Sequence, residues 1–201
     1  MSLWHDAIER LEKILAGSGC EDGIVTLGVN YDADRCQYPK GVCMEAQFGG
    51  RRGQFVTNEP TRARTRISFM FGAPFATTKQ RAAAGAIINA VSAFLCLTRR
   101  LQPCTKECHG PCLEALSREV AGKRVYLLGP MPLLVRALEA QVADSPEEAD
   151  LILVAGDGMA TDAGVACIDG YRGRKRMIFI GPSTAGISGL LDLEHWCPYG
   201  R

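Results

Sequence analysis

Val125-Tyr-Leu-Leu128-Gly-Pro130 decides the fold, because two later segments repeat its form. They are Leu151-Ile-Leu-Val154-Ala-Gly-Asp-Gly158 and Met177-Ile-Phe-Ile180-Gly-Pro-Ser-Thr184. In each, a short run of consecutive apolar residues stops at a glycine. Such runs suit strands buried on both faces, since alternate side chains then meet two apolar layers. Helical patterns over residues 133–142 and 163–171 separate the three runs. Strands alternating with helices specify a parallel sheet of Rossmann-like, three-layer type.

Upstream the pattern changes. Leu3, Ala7, Ile8, Leu11, Ile14 and Leu15 recur at three- and four-residue spacing and predict a helix over 2–16, ended by Gly17-Ser-Gly19. Strand-like runs follow at 24–29, 42–48, 54–57 and 66–71, with residues 49–53 as a turn. A long helix is predicted over 78–101, with Thr77 and Gln80 at capping-box spacing. It is apolar almost all round, so it should be buried between the sheet and another layer. Gln102-Pro103 stops it, and a further helix is predicted over 113–120. The expected organisation is a small α+β domain over 1–101, a cysteine-rich connection over 102–121 and the Rossmann-like domain over 122–201.

Of the 201 residues, 47% are hydrophobic and 22% charged, and the formal net charge is +1. That composition excludes a disordered chain, and the charge gives no global field for nucleic acid. Basic residues gather locally at Arg51-Arg52, at Arg62, Arg64 and Arg66, and at Arg172, Arg174, Lys175 and Arg176. Without interleaved aromatic residues they read as solvated faces. The longest apolar stretch, residues 82–97, falls short of the ~20 residues that span a bilayer and contains Asn89. No charged segment followed by an apolar core opens the chain. A cytoplasmic protein with neither a nucleic-acid nor a membrane partner is expected.

Nine cysteines are many for such a protein. Three fall in Cys104-Thr-Lys-Glu-Cys108-His109-Gly-Pro-Cys112. In a reducing compartment, clustered thiols serve as metal ligands or redox groups rather than disulfides. The C-x3-C-x3-C spacing matches neither zinc pairs nor ferredoxin runs, so it names no metal. Cys104, Cys108, Cys112 and His109 are the expected ligands of a metal ion or iron–sulfur cluster. Cys96, Cys197 or an exogenous group are candidates to complete the set. Gly110-Pro111 argues against a continuous helix and for a loop wrapping the metal. Redox thiols, activated by Lys106 or His109, and plain core packing are the alternatives. Cys20, Cys36, Cys43 and Cys167 stand alone and read as structural.

The C-terminal ends of parallel strands share one edge, where ligands bind if the strand order reverses. Here that edge would carry Gly129-Pro130, Gly156-Asp157-Gly158 and Gly181-Pro182-Ser183-Thr184. Turn chemistry alone explains any one of these motifs; three on one edge point to a ligand, with free N–H groups after Gly181 for an anion. There is no G-x-G-x-x-G after the first run and no P-loop, which disfavours nicotinamide, flavin and P-loop nucleotide sites. Asp157 suits a ligand, a base or a helix cap. Asn89 suits a satisfied core amide or, as expected here, a group aimed into an interdomain cleft.

Thr77-Thr-Lys-Gln-Arg-Ala-Ala-Ala-Gly-Ala-Ile-Ile-Asn-Ala90, Leu127-Leu-Gly-Pro-Met-Pro132 and Phe179-Ile-Gly-Pro-Ser-Thr184 resemble a prokaryotic family described as heavy-metal chelation proteins. The resemblance implies an enolase N-terminal-like domain joined to a Rossmann-like domain, with a site between them. Asn89, Gly129, Gly156 and residues 181–184 would border it. The cysteine segment has no counterpart in those motifs and rests on its own chemistry.

The expected function is binding of a metal, a metal–ligand complex or a metallocofactor in the cleft, with a small anionic ligand or metal complex as partner. A second copy of the chain is a further candidate partner. One alternative is an enzyme acting on a small anionic metabolite through Asp157, Ser183 and Thr184. Another is an interaction module in a redox or cofactor-assembly system. No nucleophile, base and orienting group can be recognised together, so no reaction type follows.

Overall fold

In the computed structural model, which describes residues 2–201, Ser2 caps helix α1 (Leu3–Leu15) by accepting the His5 N–H. The apolar stripe of α1 puts Leu3, Trp4, Ala7, Ile8, Leu11 and Leu15 in the core. Four antiparallel strands follow: β1 (Ile24–Asn30), β2 (Val42–Phe48), β3 (Arg51–Thr57) and β4 (Ala63–Arg66), in the order β3-β2-β1-β4. Gly49 and Gly50 both have positive φ, 54° and 76°, as a tight two-residue hairpin requires. Phe48 therefore pairs with Arg51 at once, and β3 starts three residues earlier than the predicted 54. Residues 67–70 form a 3-10 turn instead of a strand, burying Ile67 and Met70 at helical spacing.

Helix α2 (Thr78–Phe94) begins with the predicted capping box, Thr77 accepting from Gln80 N and Gln80 Oε1 from Thr77 N. It ends well before 101, where Cys96 turns the chain with φ 54°. One face lies on β2 and β3 and the other on the C-terminal half. Gly53 permits the approach: a Cβ there would stand 2.1 Å from Ala90 N and 2.6 Å from Ala86 O. Both are backbone atoms and cannot swing aside. Gly53→Ala is therefore expected to cost about 2–3 kcal/mol, read as a lowered midpoint in denaturant unfolding.

The second half contains α3 (His109–Glu119), β5 (Val125–Leu128), α4 (Pro132–Ala137), β6 (Leu151–Val154), α5 (Gly156–Ala160), α6 (Asp162–Tyr171), β7 (Arg176–Ile180), α7 (Pro182–Leu190) and β8 (His195–Trp196). All four strands run parallel, in the order β5-β6-β7-β8. β8 is a strand beyond the three predicted, and at two residues it is too short to show a pattern. Ile152, Val154, Met177 and Phe179 enter one apolar core, and Leu151, Leu153, Ile178 and Ile180 the other. The chain is thus an α/β protein with an antiparallel sheet and a separate Rossmann-like parallel sheet.

The strand order is sequential, so this sheet has no reversal point of the kind expected to open a ligand crevice. The first apolar core instead runs unbroken from the antiparallel sheet through α2 to the parallel one. Trp4 Nε1 donates to Met159 O at 2.8 Å, and Arg81 reaches Ala160 O, Phe75 O and the Asp162 carboxylate. Among the described residues no helix is long and apolar enough to cross a membrane.

Candidate functional site

The glycine edge of the parallel sheet divides into three environments. Gly156, Asp157, Gly158, Ser183 and Thr184 are all buried, and Gly156, Asp157 and Ser183 meet the first half across the seam. A Cβ on Gly156 would meet Val56 O at 2.4 Å, and one on Gly158 would meet Leu128 O at 1.9 Å. These glycines serve close backbone packing. Ser183 Oγ accepts from Val56 N at 2.9 Å, and Thr184 Oγ1 donates to Gly181 O at 2.9 Å. Asp157 Oδ2 accepts from Asn58 N and Asn58 Nδ2 at 2.9 and 2.6 Å, while its buried Oδ1 has no partner. Gly129 and Pro130 instead border a surface depression of 380 Å³.

Asn89 belongs to the same seam. Its Nδ2 donates to Gln54 O at 2.8 Å, Pro182 O at 3.1 Å and Ser183 O at 3.2 Å. Its Oδ1 accepts from Gly186 N at 2.8 Å. The amide is consumed by backbone groups of β3 and α7, which is the satisfied core amide rather than the cleft-facing group expected.

Gly181 and Pro182 fall in the third environment, the wall of a small cavity shared with four cysteines: Cys36, Cys104, Cys112 and Cys197. Cys104 and Cys112 come from the predicted ligand segment. That segment is not a wrapping loop: α3 starts at His109, and Pro111 sits in its first turn, where no backbone N–H is required. Cys112 is thereby turned inward, and its Sγ lies 3.1 Å from Tyr38 Oη. Cys108 stands at the N-cap of α3, and neither it nor His109 lines the cavity. Two of the four predicted ligands thus line the cavity, while Cys108 stays close enough to Cys104 to act on its thiol and His109 lines the pocket beside it. Cys96 is exposed and does not line this cavity.

Cys36 arrives on the loop between β1 and β2, and Cys197 directly after β8. Two glycines leave room for their sulfurs. A Cβ on Gly181, whose φ is 76°, would stand 3.0 Å from Cys36 Sγ, and one on Gly200 would stand 2.4 Å from Cys197 Sγ. Burial pushes the Cys36 thiol up to about 12, helped by the neighbouring Cys197, Cys112 and Cys104. Burial likewise pushes Cys197 up to about 12, with Cys112 and Cys104 adding to it. Cys104 is raised by burial and then by Cys112 and Cys108. Cys36, Cys104 and Cys197 are thus each raised by neighbouring thiols as well as by burial. Among the described residues no three His, Cys, Asp or Glu side chains already close on a single ion.

The cavity wall also contains Trp196, whose buried indole N–H has no acceptor. Buried polar groups are ordinarily hydrogen-bonded, so this donor stands out. Burial lowers the His195 imidazole, whose Nε2 lies 3.0 Å from Gly181 O.

Cys36 and Cys104 border a second, larger pocket of 770 Å³. Asp32, Asp34, Arg35, Lys40, Lys106 and His109 line it, a mixed-charge wall open to solvent on one side of the thiols. Sequence reasoning took Cys36 for an isolated structural residue. Pro103-Cys104, Pro111-Cys112 and Cys197-Pro198 each put a cysteine beside a proline, but nothing local marks Cys36: its nearest proline, Pro39, stands three residues on, as Pro111 does from Cys108.

No protein-family model matches the chain, and no curated protein matches it. Among solved structures it is similar to a protein of unknown function from the DUF364 family of Desulfitobacterium hafniense DCB-2. The identity is 16%, covering 82% of this chain and 78% of that chain, with a TM-score of 0.44.

Proposed function

We propose that this protein carries a thiolate-bound metal centre, an iron–sulfur cluster or a zinc-class ion, held by Cys36, Cys104, Cys112 and Cys197. The observation that carries the reading is the convergence of four thiols from separate segments on one cavity. Four cysteines are the ligand complement of both cluster types and of closed zinc sites. Core packing alone does not require a cysteine at each position, nor an indole N–H left without an acceptor beside them. A thiolate or sulfide sulfur would accept that hydrogen. The neighbouring 770 Å³ pocket would give a small molecule or a metal–ligand complex access to the Cys36 and Cys104 side of the centre.

The test is elemental analysis with an absorption spectrum on protein purified anaerobically. Iron with a broad band near ~400 nm identifies a cluster, and colourless stoichiometric zinc a closed ion site. Metal-free protein whose melting temperature is unmoved by zinc, or by iron with sulfide, overturns the proposal.

A further inference from the structure

We infer that a second site, apart from the thiol cavity, binds a small polyanion of the phosphate class. Its basis is an arginine-walled cavity of 970 Å³ formed where three chain segments meet. Arg51 and Arg52 come from the start of β3, Arg99 and Arg100 from the loop after α2, and Arg201 from the segment after β8. No carboxylate side chain lines it. Five arginines therefore line one hollow in a chain whose net charge is only +1.

Arg66, Arg81, Arg124, Arg172 and Arg176 each meet an acidic side chain. Among the described residues Arg51, Arg52, Arg99 and Arg100 form no ion pair and donate no side-chain hydrogen bond. Several other arginines, Arg10, Arg62, Arg64 and Arg136 among them, also lack a carboxylate partner among the described residues, so what sets the cavity arginines apart is that they share one hollow. Like charges held together are mutually repulsive, and a bound polyanion relieves that repulsion. The planar guanidinium fork matches phosphate oxygens in bidentate fashion.

The hollow is also braced. Gln102 Nε2 donates to Arg52 O at 2.9 Å, tying the loop to β3. Gln102 and Arg201 exchange backbone hydrogen bonds of 2.7 and 2.9 Å, and Arg201 Nε donates to Pro103 O at 3.2 Å. Arg100 adopts φ 64°, a left-handed conformation that a non-glycine residue rarely takes. The volume falls within the range of small-ligand sites, and no aromatic side chain lines it to stack a nucleic-acid base. Those two facts favour a compact phosphate compound over a nucleic acid.

Calorimetric titration of the full chain with pyrophosphate tests this, with citrate in parallel. Saturable pyrophosphate binding, weakened about tenfold or more in Arg52→Ala and in Arg99→Ala, is the expected result. Both side chains are exposed, and an unchanged melting curve checks that the variants fold. Equal affinity in wild type and variants, an adventitious ion only, overturns the site. Citrate binding without pyrophosphate binding overturns the phosphate assignment. Cys36→Ser should titrate with pyrophosphate like wild type, so failure of the metal reading leaves this one standing.

Discussion

Cys36→Ser is expected to abolish metal binding at the proposed thiolate centre, although Cys36 lies far outside the cysteine-rich segment. A serine oxygen is a hard, weak ligand where a thiolate is soft, and removing a ligand from a closed set leaves the metal open to water. Loss of retained metal by about 100-fold or more follows, since even the outer partners of ligands cost 10–100-fold. Cys108→Ser is the matched control. Cys108 neighbours Cys104, as its effect on that thiol shows, but it does not line the cavity. Metal quantified per chain after anaerobic desalting should collapse in the first variant and persist in the second. Because metal binds the folded chain, a chelator should lower the melting temperature of wild type and of Cys108→Ser but not of Cys36→Ser. The reverse pattern, with Cys108 essential and Cys36 dispensable, would restore the contiguous segment as the ligand set.

The largest loss of stability is expected from Asn89→Ala. The substitution removes an amide that joins Gln54 O on β3 to Pro182 O, Ser183 O and Gly186 N on α7. An alanine leaves at least one buried N–H and one buried carbonyl unpaired, each costing about 1–3 kcal/mol, and adds a small cavity. The sum is about 4 kcal/mol, enough to unfold a protein of ordinary stability at moderate denaturant. Equilibrium unfolding in urea reads it directly. A loss below about 1 kcal/mol would mean that the seam is wet and that these backbone groups find water instead. Asn89→Asp adds a discriminating case: it keeps the acceptor for Gly186 N but replaces the donor facing three carbonyls by a buried anion. Its cost should match or exceed that of alanine.

The elements read well from local pattern. The β5, β6 and β7 runs, the capping box of α2 and the stripe of α1 each depend on residues a few positions apart, so periodicity and cap chemistry suffice. Three departures have local causes of their own. The Gly49-Gly50 hairpin is tighter than a loop reading suggests, Pro111 fits the first turn of α3, and β8 is too short to declare itself. The candidate site was half legible: Cys104 and Cys112 announce themselves by clustering. Cys197 shows only an adjacent proline and Cys36 no local mark at all, while Cys108 and His109, singled out by the same clustering, do not line the thiol cavity.

Asn89 marks the division between the two kinds of information. Sequence by itself determined that an amide, Asn89, sits on an apolar helix and that three strands run into glycine turns. Tertiary structure alone decided what each of them faces. Where the two halves pack through a continuous core, Gly156 becomes a contact point and Asn89 becomes a clasp. Where they part, the β1–β2 loop, the residues around the start of α3 and those after β8 bring thiols to one cavity, while the start of β3, the loop after α2 and the residues after β8 bring arginines to another. The reason is range. Helix caps, turns and alternation are set by neighbours within a turn or a pleat, whereas a site built from distant segments exists only after the apolar faces between them have been buried.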